Sequence, residues 1–388
     1  GVMYMLMQCT KALLDKMKIG PRELRSPEGY DQSPRSLLAW HAHAVNMDRR
    51  KAVILMNNAT RYPVVIYRPK PKDFARMRDL MREAIIAALR MEGVRETVIE
   101  RYMADAGEIE FSKTANRSMV AKMNQAVYAV SLMHDYLDEN RLIQRYSSIA
   151  AGRHFQVSPE EGCFRPISRM IECLGNYCDS GADGVSRPVL DVELYQLKIR
   201  IEIEGFDIWR RVLAPSGFSF RHLHRAIQTV FDWQDYHLHL FEARTPGSKT
   251  KMIIMDDDPE TLECFESGSY DILQERFTAL KDILPDHDQV IYEYDFGDSW
   301  RHSIVLEKTV RSDAFEATYL DGTGERPPED VGGAGGYAEY VRIMADDSDP
   351  EHESMRIWAE GQAEREQSPE ETNRKLGRCT SEYGYFMS

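Results

Sequence analysis

The stretch YEYDFGDSWRHSIVLEK, residues 292 to 308, restricts the fold more than any other part of the chain. Its two ends alternate apolar and polar residues, as half-buried β-strands do. The centre, Asp295-Phe296-Gly297-Asp298-Ser299-Trp300, breaks the alternation with turn-forming residues, which predicts a tight hairpin between paired strands. Gly297 is expected to supply the backbone freedom of that turn, and Asp295, Asp298 and Ser299 to accept from its amides. Trp300 is expected to cover it.

The surrounding residues supply a sheet for such a hairpin. YQLKIRIEIEG and DIWRRVLAPSG read as two strands, SFRHLHRAIQTVFDW as a helix capped by Ser219, and HLHLFEA and KMIIMDD as further strands. FTALKDIL reads as a short helix. Glu329 and Asp330 are expected to cap the helix that follows the glycines at 332 to 336. The order is β-β-α-β-β-α-β-β-α-α over residues 194 to 360.

The first half reads as a strand over 2 to 7, a helix over 11 to 18 and three strands, LLAWHAHAV, KAVILMNNA and YPVVIYR. A long amphipathic helix then runs from Pro71 to a stop at Gly93, with further helices over 95 to 105 and 117 to 138. The predicted fold class is α+β in two domains, each a mixed or antiparallel sheet packed with helices. Their expected boundaries are 1–155 and 194–360. Residues 156–193 read as a connection interrupted by a short helix over 166 to 174, and 361–388 as a polar tail.

A length of 388 residues fits two domains better than one core. Residues 1 to 155 hold 25 Lys and Arg against 17 Asp and Glu, whereas residues 156 to 388 hold 24 against 46. This asymmetry supports two units with different surfaces, of which only the basic one suits an anionic partner. No apolar run reaches the ~18 to 20 residues of a membrane helix, so no membrane partner is expected. The start lacks a basic n-region and a small-residue cleavage site, and its leading Gly ahead of Val-Met reads as an appended residue. Six scattered cysteines without a C-x-x-C pair suit reduced thiols, and a cytoplasmic location is expected.

Four segments in order, YQLKIRIEIEGFDIWRRVLAPS, HLHRAIQTVFDWQDYHLHLFE, YEYDFGDSWRHSIVLEK and PPEDVGGAGGY, together resemble the plasmid pRiA4b ORF-3-like family, a bacterial and archaeal domain. The resemblance covers residues 194 to about 360. It implies a plasmid or mobile-element association but no established molecular function, and nothing in the residues supports the resolvase and repressor labels used in the family. Members often carry cysteines around Pro-Pro-Glu-Asp. This chain has Glu325-Arg326 and Val331 there, so a metal site built on those thiols is not available. The first half more loosely resembles an uncharacterised bacterial family, through Trp40-His41, Asn46, Arg49-Arg50-Lys51, Asn57, Thr60 and NRSMVAKMN at 116 to 124. That resemblance brings no activity with it.

Asp295-Phe296-Gly297 is no kinase signature, because neither a Gly-rich loop with its Val-Ala-x-Lys strand nor a His-Arg-Asp loop precedes it. The glycines at 332 to 336 lack the Gly-Lys-Ser/Thr of a P-loop. Phe296 to Trp300 lacks the Gly-x-Ser-x-Gly spacing of a nucleophile elbow. A ligand or metal cluster is a candidate at His237, His239, Asp295, Asp298, Trp300, His302 and Asp330. His237 and His239, two apart on an expected strand, would share a face, and with Asp298 form the ligand core of a divalent ion such as zinc or manganese. The same residues fit a buried polar network in which His and Asp bond one another, and without cysteines or a His-Glu-x-x-His motif that is the simpler reading. No cofactor is therefore expected, and a divalent ion stands only as the alternative reading.

In the basic half, Arg49, Arg50, Lys51, Arg61, Arg68, Lys70 and Lys72 are placed to follow a phosphate backbone, with Trp40, Tyr62 and Tyr67 for stacking. Asn116 and Arg117 stand at a helix start suited to anions. A solvated basic face is the simpler reading of the same residues. The leading functional reading is a non-enzymatic binding or adaptor module. The alternatives are a metal-dependent hydrolase or nuclease using the His/Asp cluster, and nucleic-acid binding by the basic half.

Overall fold

The computed structural model of the protein describes residues 4–30, 35–47, 49–114, 117–158, 162–179, 188–244, 251–256, 262, 265, 270–287, 290–362 and 368–381. These divide into two compact units, one built on residues up to Val192 and one from Glu193 onward, with Ser312–Phe315 belonging to the first. Both are α+β units with a mixed sheet.

In the first unit β1 (Met5–Cys9) is followed by α1 (Lys11–Met17), then by β2 (Ala39–Met47), β3 (Arg50–Asn57) and β4 (Pro63–Tyr67). The helices α2 (Met77–Met91) and α3 (Glu96–Ala106) lead to β5 (Ile109–Lys113), α4 (Arg117–Leu132) and α5 (Arg145–Arg153). The strand order is β4-β3-β2-β1-β5, with β1 parallel to both β2 and β5 and the others antiparallel. Every residue of β1 and β4 is buried, as expected where helices cover both faces of a sheet. The β3–β4 turn is clamped by Asn57. Its Oδ1 accepts from Ala59 N, Thr60 N and the Thr60 hydroxyl, all at 3.1 Å, and its Nδ2 donates to Leu37 O at 2.9 Å.

Two expectations are corrected here. The described residues of 156–193 carry more structure than the single short helix expected there. They hold a short hairpin of β6 (Gln156–Ser158) and β7 (Gly162–Phe164), then α6 (Pro166–Asp179), whose Met170 and Leu174 are fully buried. The region 361–388 is not merely a tail, because it contains a helix over Pro369–Ser381 with Leu376 fully buried.

The second unit runs β8 (Val192–Ile201), β9 (Ile208–Pro215), α7 (Phe220–Phe231), β10 (His239–Arg244), β11 (Lys251–Met255) and β12 (Tyr270–Gln274). It continues with β13 (Val290–Tyr294), β14 (Trp300–Ser312), β15 (Thr318–Thr323), α8 (Gly333–Met344), α9 (His352–Gln362) and α10 (Pro369–Ser381). The expected helix near residue 280 is two 3-10 turns. The sheet order is β12-β11-β10-β13-β14-β8-β9-β15, antiparallel at most junctions but parallel between β11 and β12. Helix α7 buries Phe220, Leu223, Ile227 and Phe231, at the spacing of one helical face. Phe220 meets Phe241 of β10, and Phe231 meets His302 of β14, so α7 lies across the middle of the sheet. The edge strand β15 is held by Asn373 of α10, which accepts from Tyr319 N at 2.7 Å and donates to Tyr319 O at 3.2 Å.

Replacing Asn57 by Ala strands several amide and hydroxyl donors in a buried turn, and each buried unsatisfied group costs roughly 1–3 kcal/mol. The expected outcome is a loss of that size in the stability of the first unit, read by urea unfolding. An unchanged midpoint would show that the clamp is dispensable.

Candidate functional site

The hairpin foreseen at residues 292 to 308 is present: β13 pairs antiparallel with β14, Tyr294 opposite Trp300 and Tyr292 opposite His302. Its turn works differently from the expectation. Asp295 and Ser299 take the left-handed backbone, at φ 59 and 54, and Gly297 does not. Asp295 Oδ1 accepts from Gly297 N at 2.9 Å and from Asp298 N at 3.3 Å, while Asp295 N donates to Leu238 O at 2.9 Å. Aspartate tolerates this backbone region better than most residues.

The expected single cluster is split. His237 precedes β10 and does not share a site with His239, which opens the strand. His237 Nε2 lies 3.6 Å from Asp295 Oδ2, 3.2 Å from Asp330 Oδ1 and 3.9 Å from Glu329 Oε2. Asp298 turns away, its Oδ2 accepting from Gly332 N at 3.1 Å. Trp300 and His302 are buried under α7, with Trp300 stacked on Trp233 and His302 edge-on to Phe231. The His302 ring donates Nδ1 to Trp300 O, and burial pulls its pKa down to about 4.

His239 joins a second group that sequence reasoning missed. Its ring stacks on His224 of α7, with centroids 3.5 Å apart and planes 3° from parallel. Each imidazole has a carboxylate: His239 Nε2 meets Glu275 at 2.8 Å, and His224 Nε2 meets Asp235 at 2.8 Å. His224 Nδ1 meets the Tyr292 hydroxyl at 2.9 Å, and Gln228 donates to the same hydroxyl at 2.9 Å. Burial, followed by the neighbouring His239, lowers the His224 pKa. The available signal was His224 and Gln228, one turn apart on the apolar stripe of a helix.

Glu329 is the other missed residue. It does not cap α8, whose N-cap Gly332 has no side-chain cap. Glu329 Oε1 instead accepts from Gln234 N at 2.8 Å. Burial raises its pKa, with the Gln234 amide, Arg326 and His237 acting in the opposite sense. Its Oε2, and His237 Nε2, are buried without a hydrogen-bond partner among the described residues. Groups of three or more His, Cys, Asp or Glu that converge within metal-binding range occur twice among the described residues: His237 with Asp295 and Asp330, and His224 with Asp235 and His239.

Two of the basic residues of the first unit are engaged within the unit itself. Arg61 is buried, with NH1 donating to Asn58 O at 2.8 Å, and Arg68 is paired with Glu139 at 2.7 Å. Arg49, Arg50 and Lys51 stand exposed on the β2–β3 hairpin, Lys70 and Lys72 lie exposed before α2, and Arg117 is exposed at the start of α4. Asn116 lies outside the described residues. Trp40, Tyr62 and Tyr67 are core residues and are not available for base stacking.

The plasmid pRiA4b ORF-3-like protein family matches residues 193–375, the span that holds every residue around His237. Over 164 residues the chain is 31% identical to the uncharacterized protein y4hQ of Sinorhizobium fredii, covering 42% of this chain and 79% of that protein. The chain belongs to the plasmid pRiA4b ORF-3-like family. A domain of unknown function, DUF6933, matches residues 6–169. The crystal structure of a protein of unknown function from Methanosarcina mazei Go1 is 30% identical, with a TM-score of 0.40, over 46% of this chain and 97% of that one. Among the described residues no helix is long and apolar enough to cross a membrane.

The turn geometry reverses the ranking that glycine content alone implies. Asp295→Ala removes the turn acceptor and places an ordinary residue at positive φ, at a cost of roughly 2 kcal/mol. Gly297→Ala meets only Asp295 Oδ1, at 3.2 Å, and is expected to cost clearly less. Urea unfolding of both variants decides this, and a larger loss in Gly297→Ala would refute the assignment.

His302 sets an acid limit. Between its ordinary pKa of 6.5 and its folded value of about 4, the unfolded chain binds a proton that the folded one refuses. Stability from this group is full above that window and is lost as pH falls through it, by up to roughly 3 kcal/mol. His302→Phe should flatten the corresponding part of the pH–stability curve, and an unaltered curve would rule the residue out as its source.

Proposed function

We propose that the second unit is a ligand-binding module that works without covalent catalysis. The observation that carries this reading is the pair of buried atoms, His237 Nε2 and Glu329 Oε2, that face each other at 3.9 Å without hydrogen-bond partners. A buried carboxylate oxygen left unsatisfied is destabilising, so a chain that holds one in place reserves it for something that arrives. The histidines that acid–base chemistry would draw on are otherwise engaged. Both nitrogens of His224 are bonded, His239 is held by Glu275, and His302 is sealed under α7. Two of the surrounding carboxylates, Asp295 and Asp330, hold left-handed backbone at φ 59 and 57, and such conformations concentrate at ligand clamps.

The test is Glu329→Gln in protein dialysed free of small ligands. A glutamine keeps the acceptor for Gln234 N and turns its amide towards His237, so the variant is expected to melt higher than the wild type by the equivalent of about 1 kcal/mol. A lower melting temperature would make Glu329 a structural partner and remove the basis of the binding reading.

A further inference from the structure

We propose that the ligand of this cluster is a single first-row divalent cation, held by His237 Nε2, Asp295 Oδ2 and Asp330 Oδ1, with the buried Glu329 Oε2 facing His237 beside them. This inference rests on the binding reading above and names its ligand. The spacing is the first reason. Donors about 2.1 Å from one ion lie roughly 3.4 Å apart in a tetrahedron and roughly 3.0 Å apart when adjacent in an octahedron. The contacts from His237 Nε2 to Asp330 and Asp295 measure 3.2 and 3.6 Å, the first at the long end of hydrogen bonding and the second beyond it, and both are close to the edges of a coordination polyhedron.

The donor chemistry is the second reason. One imidazole and two carboxylates, with the Glu329 carboxylate facing the imidazole, make a borderline-to-hard set that suits Mn²⁺ or Zn²⁺ and gives little preference for a soft ion. The set is also supported from behind. Asp295 is oriented by the two turn amides on its Oδ1, and Glu329 by Gln234 N on its Oε1, so each carboxylate has one oxygen fixed and the other turned to His237. Arg326 lies over the Trp233 ring at 5.2 Å and offsets part of the negative charge near Glu329. Asp330 is the exposed member, with its side chain 62% accessible, and gives the ion a route in from solvent.

The second convergent group does not compete. Imidazole lone pairs lie in the ring plane, so two rings stacked 3° from parallel aim their nitrogens along parallel lines that do not meet at one ion. His239 and His224 are also engaged by Glu275, Asp235 and Tyr292 at hydrogen-bonding distance.

The experiment uses the full chain, stripped with a chelator, dialysed, and titrated with MnCl₂ or ZnCl₂. Calorimetry and elemental analysis should report one ion per chain, with a rise in melting temperature. Asp330→Asn, an exposed and conservative change, should weaken binding at least tenfold, and His237→Ala should abolish it. His239→Gln should retain both stoichiometry and affinity. No bound ion and no shift in melting would overturn the cation while leaving the Glu329→Gln result to judge the binding reading separately. Binding that survives Asp330→Asn and His237→Ala, or is lost in His239→Gln, would place the ion elsewhere and equally overturn the proposal.

Discussion

The two oxygens of the Asp295 carboxylate face opposite tasks, and the centre of the second unit depends on that division. Oδ1 closes the β13–β14 turn through Gly297 N and Asp298 N. Oδ2 faces His237. The backbone amide of the same residue ties the turn to Leu238, beside the first residue of β10. One residue in a sparsely populated backbone region thus joins the hairpin, the neighbouring strand and the ionisable cluster.

Beneath it lies an aromatic floor in which ring packing and polar anchoring reinforce one another. Trp233 contacts Tyr294, Trp300 and His302, and Tyr292 contacts Phe241 and His302. The Tyr294 hydroxyl accepts from Tyr236 N, and the Tyr292 hydroxyl is shared by His224 and Gln228. Rings of this size in fixed offset or edge-on contact restrict the segment from Trp233 to His239 to one path across the sheet. That path delivers Gln234 to Glu329, Asp235 to His224, and His237 to the carboxylates.

Much of the fold was legible because alternation and helical spacing are strong where one face is buried. The strands at 194 to 215 and 290 to 312 and helix α7 followed directly from pattern. β12 and β15 were not read because their side chains are mostly exposed, so they carry no apolar alternation; their partners lie in β11, β9 and Asn373. β5 is only five residues long. At the site, residue type disclosed His237, Asp295 and Asp330, but assigning His237 to the strand of His239 required a boundary two residues too early. Glycine content also misled at Gly297, since the presence of a flexible residue does not say where the chain needs it. Among the basic residues, Arg61 shows that charge count says nothing about burial.

The left-handed backbone at Asp295 and Asp330 limits how these positions can vary over time. Glutamate offers the same charge but fits this conformation poorly, whereas asparagine and glycine fit it well. Single substitutions that keep the shape of the chain therefore tend to erase the charge. Relatives could lose the ionisable cluster through asparagine or glycine while keeping an intact hairpin, so a shared fold within this family does not by itself imply a shared site.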